Sequence, residues 1–520
     1  MSVQLKPSVI LSATLLVGVI GTCEAAEDGR GKPDDWFVRS EAPKDRRPPQ
    51  YLTGGETRDI IPDAPGAPQS QSERKKPPSP DYLMAKVKWG ASAVIANDND
   101  LVEDWNLAPN DVQEFMRMAQ GNNFMYHWGQ TTLETFDYEP KLMPAILLSG
   151  VREVGFGAAQ IDRLREYVLN GGMILCDSVY GSPWFYESAM KVFAQMFPDS
   201  KFRVLPADHP LYHMLVDIDK VDYFCGRDDH EPFLEGLYIG SRVGVLVSKY
   251  GLGCGWQGKM DIFKTLAERK LPAKAYSADS ARRIASNLAP YILGYSGVGE
   301  VEGRPEMFGA ADQKQPTAEF VFAQVKHDGA WNAHPGAARS LLTRLSKVSA
   351  IPVNLKRVAV ELADDDLAAY PFLYFTGLDD FKLTEKQINA LRAYADGGGT
   401  LLINNALGLA KFHQAAMREI SRVFPGKDIN VLPADHELYN ILNDIRRVKY
   451  TPTLIKDKGK DLAERPLLYG MQIDGKLRVI YSPYDMEAGW NEVGYPLSRG
   501  YESDSAKKLG MNVIMYAMTH

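Results

Sequence analysis

Between residues 143 and 198 the chain passes from continuous apolar runs to a helical period. MPAILLSG is a continuous apolar run closed by Ser149 and Gly150, the pattern of a strand buried on both faces and ended by a turn. GGMILCDS repeats that pattern, and FYESAMKVFAQMFP then places Ala189, Phe193, Met196 and Phe197 at helical spacing. The same succession returns later. YPFLYFTG is another buried strand, followed by LTEKQINALRAYADGGG, which opens with Thr384 and Gln387 at capping-box spacing, sets Ile388, Leu391 and Ala395 on one face, and stops at glycine. GGTLLINN closes the series as a further strand. Strands alternating with helices predict right-handed crossovers and a doubly wound, mainly parallel sheet.

The recurrence has a register. LPADHPLYHM begins at Leu205 and LPADHELYNI begins 227 positions later at Leu432. That shift also carries Phe197-Pro198 onto Phe424-Pro425, Gly150 onto Gly377, Gln160 onto Gln387 and Tyr167 onto Tyr394. A shift of 234 pairs Ser248, Tyr250, Gly255 and Trp256 with Ser482, Tyr484, Gly489 and Trp490. The chain therefore reads as a tandem duplication: a first α/β domain over 81–300, a linker over 301–317 and a second α/β domain over 318–520, each expected to fold separately. In the repeated phrase, Pro210 and Glu437 both suit the first turn of a helix, so Asp208 or His209 is the expected N-cap. The phrase reads as architecture rather than catalysis.

Composition narrows the function. With 59 basic and 66 acidic residues the net charge is -7, which offers no footprint for a polyanion, so no nucleic-acid partner is expected. Lys6 precedes an apolar run from Val9 to Ile20 that ends in small residues, the layout of a signal peptide over 1–25 and of an exported, periplasmic or extracellular protein. A lipid-modified Cys23 is a further reading that Thr22 fits poorly. Residues 26–80 are rich in proline and charge and read as a disordered linker whose one apolar knot is Trp36-Phe37-Val38. No later stretch is long and apolar enough for a transmembrane helix. Cleavage after Ala25 leaves Cys176, Cys225 and Cys254, at most one disulfide.

The motifs YPFLYFTG, GGGTLLINN, LPADHELY, SPYDMEAGW and GMNVIMYAM resemble those of the bacterial family known as domain of unknown function 4159. The resemblance covers most of 318–520 and, with longer insertions, 81–300. It implies two flavodoxin-like, three-layer α/β/α domains of the class I glutamine amidotransferase-like superfold, and it implies no settled activity. In that superfold a nucleophile sits on the sharp turn after the strand that here ends GGMILCDS, which draws attention to Cys176 and Asp177. A nucleophile elbow needs very small neighbours, whereas Cys176 has Ile174 before it, and the second copy has Ile403 and Asn404 at the two positions. Cys176 accordingly reads as a buried apolar residue.

The remaining candidates are polar strand ends. In an open α/β sheet ligands bind at the C-terminal edge, where Asp177, Ser178, Ser248 and Tyr250 are expected in the first unit, with His209 nearby, and Asn404, Asn405, His436, Ser482, Tyr484 and Asp485 in the second. Asp228, Asp229, His230 and Glu231 form a ligand-rich loop that could hold a divalent ion, although the spacing follows no metal motif. Asp98, Asp100 and Asp104 read as a solvated turn. No cofactor is expected. The reading that follows is an exported, non-catalytic module for a small molecule, glycan or protein partner. The alternative is a hydrolase of an amide, ester or glycan acting through the first strand-end cleft, for which Asp177, His209 and His213 must converge.

Overall fold

The structure is a computed structural model and describes residues 29–39, 82–90, 92–94, 101–122, 126–136, 139–198, 200–224, 229–258, 260–303, 308, 319–459 and 462–520. The expected signal peptide, Cys23, most of the proline-rich linker, Asp98, Asp100, Cys225 and Asp228 lie outside the described residues.

Two seven-stranded sheets form, one per repeat. The first comprises β1 Tyr82–Lys88, β2 His127–Thr132, β3 Ala145–Gly150, β4 Met173–Ser178, β5 Phe202–Val204, β6 Glu235–Ile239 and β7 Arg242–Ser248, in the order β2-β1-β3-β4-β7-β6-β5. The second comprises β8 Ala323–Val325, β9 Val358–Val360, β10 Phe372–Gly377, β11 Thr400–Asn405, β12 Asn430–Val431, β13 Tyr469–Ile473 and β14 Lys476–Ser482, in the matching order β9-β8-β10-β11-β14-β13-β12. In each order the first five strands run parallel, the sixth turns back antiparallel, and the seventh, paired antiparallel with the sixth, runs with the first five. The register read from the sequence carries over, since β3 and β10, and β4 and β11, stand 227 positions apart.

Helices cover both faces. In the first unit α1 Asp111–Gly121 and α4 Ala278–Glu302 lie on one side, and α2 Ala158–Leu169 and α3 Pro183–Met196 on the other. The pleat divides each strand between the layers: Ile146, Leu148, Ile174 and Cys176 pack with α2 and α3, while Leu147, Met173 and Leu175 face α1 and α4. The second unit repeats this with α5 Ala337–Val348 and α8 Ser503–Thr519 on one face and α6 Glu385–Asp396 and α7 Ala410–Val423 on the other. The capping box at the start of α6 forms as expected, with Gln387 N donating to Thr384 Oγ1 and Thr384 N donating to Gln387 Oε1.

The units share a core. Leu378, Ala406 and Leu407 of the second belong to the same buried apolar cluster as Leu211, Tyr291 and Tyr295 of the first. Tyr295 Oη donates to Pro496 O at 2.9 Å, and Arg203 pairs with Asp379 at 3.4 Å. Asp104 is a correction to the sequence reading. It is buried, not solvated, because it accepts from Val151 N, Arg152 N and Arg152 Nε at the end of β3.

Candidate functional site

The repeated phrase resolves first. His209 Nδ1 accepts from Leu211 N at 3.2 Å, and His436 Nδ1 accepts from Leu438 N at the same distance, so the histidine is the N-cap in both units. Accepting at Nδ1 places the proton of each ring on Nε2. Burial lowers His209 to about 3, so it stays neutral and packs against Tyr212, Tyr238 and Tyr291. Asp208, released from capping its own turn, accepts from Ala410 N at 2.6 Å and caps α7 of the other unit.

At the strand ends, polar side chains meet backbone rather than open space. Asp177 is buried and accepts from Leu252 N and Gly253 N, both at 2.8 Å. Desolvation pushes its carboxyl up to about 7 against those two donors. Lys86, on β1, gives its charge to Asp111 at 2.7 Å rather than to Asp177. A Cβ on Gly253 would stand 3.1 Å from Asp177 Oδ2 and from Asp111 Cβ, so a larger residue would crowd the two carboxyl groups. Ser248 Oγ donates to Tyr250 O, and the Tyr250 ring packs with Tyr223, Phe233 and Tyr276. Ser178 is buried, and its hydroxyl has no hydrogen-bond partner among the described residues.

The second unit solves the same problem with two residues. Asn404 Oδ1 accepts from Met486 N, the position matching Leu252, while Asp485 accepts from Leu407 N, Glu487 N, Ala488 N and Asn404 Nδ2. Asn405 donates to Pro483 O, Ser482 Oγ donates to Tyr484 O, and the half-buried Tyr484 packs with Tyr450 and Tyr501. The tyrosine cluster repeats position by position. Tyr223 and Tyr450 donate to the carbonyls of Glu231 and Arg465, and Tyr276 and Tyr501 to those of Phe233 and Leu467. These rings brace loops.

The sharp turn after the fourth strand lies further along than the sequence suggested. Tyr180 has φ 59 and Leu407 has φ 55, each followed by a left-handed glycine, Gly181 and Gly408. A Cβ on either glycine would come 2.6 Å from a carbonyl oxygen, of Lys274 or of Arg499. Non-glycine residues in this region carry strain, and the position a nucleophile would take on a strand-to-helix elbow holds a buried tyrosine in one unit and a buried leucine in the other. Cys176 and Cys254 are buried free thiols, both raised by burial first and by Asp177 next.

Of the candidate metal loop, Asp229, His230 and Glu231 are described. His230 pairs with Asp222 at 3.0 Å, Asp229 caps Glu231 N, and Glu231 is exposed. Among the described residues no group of three metal-ligating side chains is present.

Two features escaped the sequence reading. His334 lies buried between Glu302 and Asp485, 3.1 Å from each. Beside it, Glu487 is buried next to the Tyr374 hydroxyl, and burial pushes it up to about 7. The other feature is a groove of about 350 Å³ between the units, lined by Asp208, Pro210, His213 and Asp217 on one side and Pro452, Lys456, Asp457 and Arg499 on the other. His213 bridges Asp217 Oδ1 and Ala207 O, and Arg499 pairs with Asp457. The hydrogen bond with His213 holds Asp217 below the usual carboxylate range, and Lys456 across the groove adds to the effect. A wider concavity of about 800 Å³ beside α2, between Glu134, Lys141, Arg163 and Glu166, includes none of the strand-end residues.

No curated protein matches the chain. Among solved structures, a chain from Silicibacter pomeroyi DSS-3 described as a phosphosugar isomerase aligns with 62% of this chain and 75% of its own at 7% identity and a TM-score of 0.17, too low to carry an argument. The profile of a single family, by contrast, matches twice, over residues 84–293 and 321–518, one match on each seven-stranded sheet. The chain belongs to the family described as domain of unknown function (DUF4159), in two tandem copies.

Proposed function

We propose that the chain is an exported binding protein that performs no chemistry of its own and takes a polar ligand, a glycan or a peptide, in the groove between its units. The observation that carries this reading is the filling of both strand-end edges by the chain's own backbone. Asp177 is spent on Leu252 and Gly253, and Asn404 with Asp485 on residues 486–488. The groove, in contrast, offers carboxylates, two cations and apolar walls from Pro210, Pro452 and Leu497, a mixture suited to a ligand with both donors and acceptors. The amidotransferase-like assignment belongs to this proposal and is supported by the left-handed turn at Tyr180 and Leu407. Export rests on the sequence layout around Lys6, Val9–Ile20 and Ala25.

The hydrolase alternative needs Asp177, His209 and His213 to work together. They serve a backbone loop, a helical turn and Asp217 respectively. Two measurements test the proposal. Native protein treated with iodoacetamide at neutral pH should keep Cys176 unmodified and should not accelerate hydrolysis of p-nitrophenyl acetate. Rapid, selective modification of Cys176 with turnover would sink the non-catalytic reading. In amide-shift titrations with chito-oligosaccharides and with short peptide pools, responses should centre on His213, Asp217 and Lys456. Responses centred on Asp177 and Tyr250 would move the site back to the strand ends.

A further inference from the structure

Residues that the sequence places in a linker dock on the first unit. Pro33–Trp36 form a short 3-10 turn, and Trp36, Phe37 and Val38 are buried, Trp36 completely. Their bed is the apolar face over the turn between β4 and α3, made by Val151, Val179, Tyr180, Phe263 and Leu271. The seat has specific contacts as well as area. Tyr180 Oη donates to Val38 O at 3.0 Å, Arg269 donates to Asp35 O at 2.8 Å, the Arg152 guanidinium stacks 4.2 Å above the Phe37 ring, and its other end reaches Asp34 at 3.5 Å. The approach is close enough that a Cβ on Gly31 would come 2.5 Å from Leu271.

The duplication shows what kind of face this is. The residues matching Val151, Val179 and Tyr180 under the 227-position shift are Leu378, Ala406 and Leu407. In the second unit those three are covered by a folded protein surface, the first unit, within one shared core that includes Tyr291 and Tyr295. The same face of the same fold therefore docks protein in one copy and a nine-residue segment, Arg30–Val38, in the other. A tryptophan seated in an apolar recess with arginines at the rim is also the anatomy of a hot spot.

We infer that the face of the first unit over the β4–α3 turn is a peptide-binding crevice, which the chain fills in cis with Arg30–Val38 and which accepts an acidic-aromatic peptide when that segment leaves. Recognition is by the Trp-Phe pair in the recess, with Arg152 reading the preceding carboxylate and the following ring. This goes beyond the groove reading and stands or falls separately from it.

The test uses the full chain and a fluorescein-labelled peptide of residues 29–39, followed by anisotropy. The native chain should leave the peptide free, because its own segment holds the crevice. A full-length Trp36→Ala/Phe37→Ala variant should bind the peptide saturably, and replacing the peptide's tryptophan by alanine should weaken that binding about tenfold or more. A variant that melts like the native chain yet takes up no peptide would overturn the inference, as would equal uptake by both chains. Should the double variant not fold, a protease site placed between residues 40 and 81 keeps the native segment in its seat and frees it from the chain. After cleavage, excess labelled peptide should replace it, read by native mass spectrometry. A cut segment that never exchanges would refute a crevice open to other peptides.

Discussion

His334 Nδ1 stands 3.1 Å from Glu302 Oε1, so a loop of the second unit is tied to the end of the longest helix of the first by a contact with no exposed atom on either side chain. The opposite ring nitrogen faces Asp485 at the same distance. Burial alone would favour the neutral ring, but Asp485 first, and Glu302 with it, outweigh burial and raise His334 to about 10. The imidazolium is thus a buried cation shared by two carboxylates.

The linkage sign follows from that. An unfolded histidine titrates near about 6.5, below the folded value, so the contribution is complete below that pH and fades as the pH rises through about 10. His334→Gln should cost on the order of 3–5 kcal/mol at pH 7, because it leaves buried carboxylates uncompensated. It should also remove the decline in stability expected of the native chain between pH 7 and 10. Urea midpoints at a series of pH values check both, and an unchanged pH slope in the variant would exclude His334 as its source.

The repeated phrase supplies a paired comparison. Asp208 caps α7 across the unit boundary, whereas its counterpart Asp435 is exposed. Asp208→Ala should cost about 0.5–2 kcal/mol, the usual range for an N-cap, and Asp435→Ala should fall within about 0.5 kcal/mol of the native chain. Equal losses at the two positions would mean that the aspartate serves its own phrase after all.

Asp177 tests the filled strand end. Its folded pKa of about 7 lies above the unfolded carboxylate near about 3.9, so the native state favours the proton. The associated stability is complete below about pH 4 and is lost as the pH rises through 7. Asp177→Asn copies the arrangement of Asn404 and should flatten that stretch of the curve at little cost. Asp177→Ala leaves the amides of Leu252 and Gly253 unpaired and should cost about 1–3 kcal/mol. Denaturation of the three proteins at pH 5 and pH 8 separates these outcomes, and an Asn variant as damaged as the Ala variant would contradict the account.

Much of this fold is legible in the chain because it is local or repeated. The capping box at Thr384 and Gln387, the buried runs MILCDS and TLLINN, and the 227-position register all depend on spacing alone. What escaped depends on neighbours distant in sequence. Asp104 looks solvated until β3 brings Val151 and Arg152 to it. His334 carries no motif, because its partners come from helix α4 and from the loop after β14. Spacing leaves the N-cap open between Asp208 and His209, and the choice falls to the histidine where Asp208 is occupied by a helix of the other unit. The elbow was sought at Cys176 because strand ends read from apolar runs stop short of the turn, which comes at Tyr180.

The same cross-unit contacts bear on whether the second unit folds alone. A chain starting at residue 319 keeps its whole sheet, so its far-UV circular dichroism should be native-like. It loses Glu302 as a partner for His334 and the cover over Leu378, Ala406 and Leu407. Uncovering a large aliphatic side chain costs about 1.5–3 kcal/mol, so Leu378 and Leu407 together with the broken ion pair should remove several kcal/mol from a domain with little to spare. The fragment should therefore melt well below the full chain and bind the dye ANS, and a Leu407→Ser substitution should reduce that dye binding. A fragment that melts with the full chain and binds no dye would show that the units are independent, as the bare repeat suggests, and that the shared core holds them side by side without stabilising either.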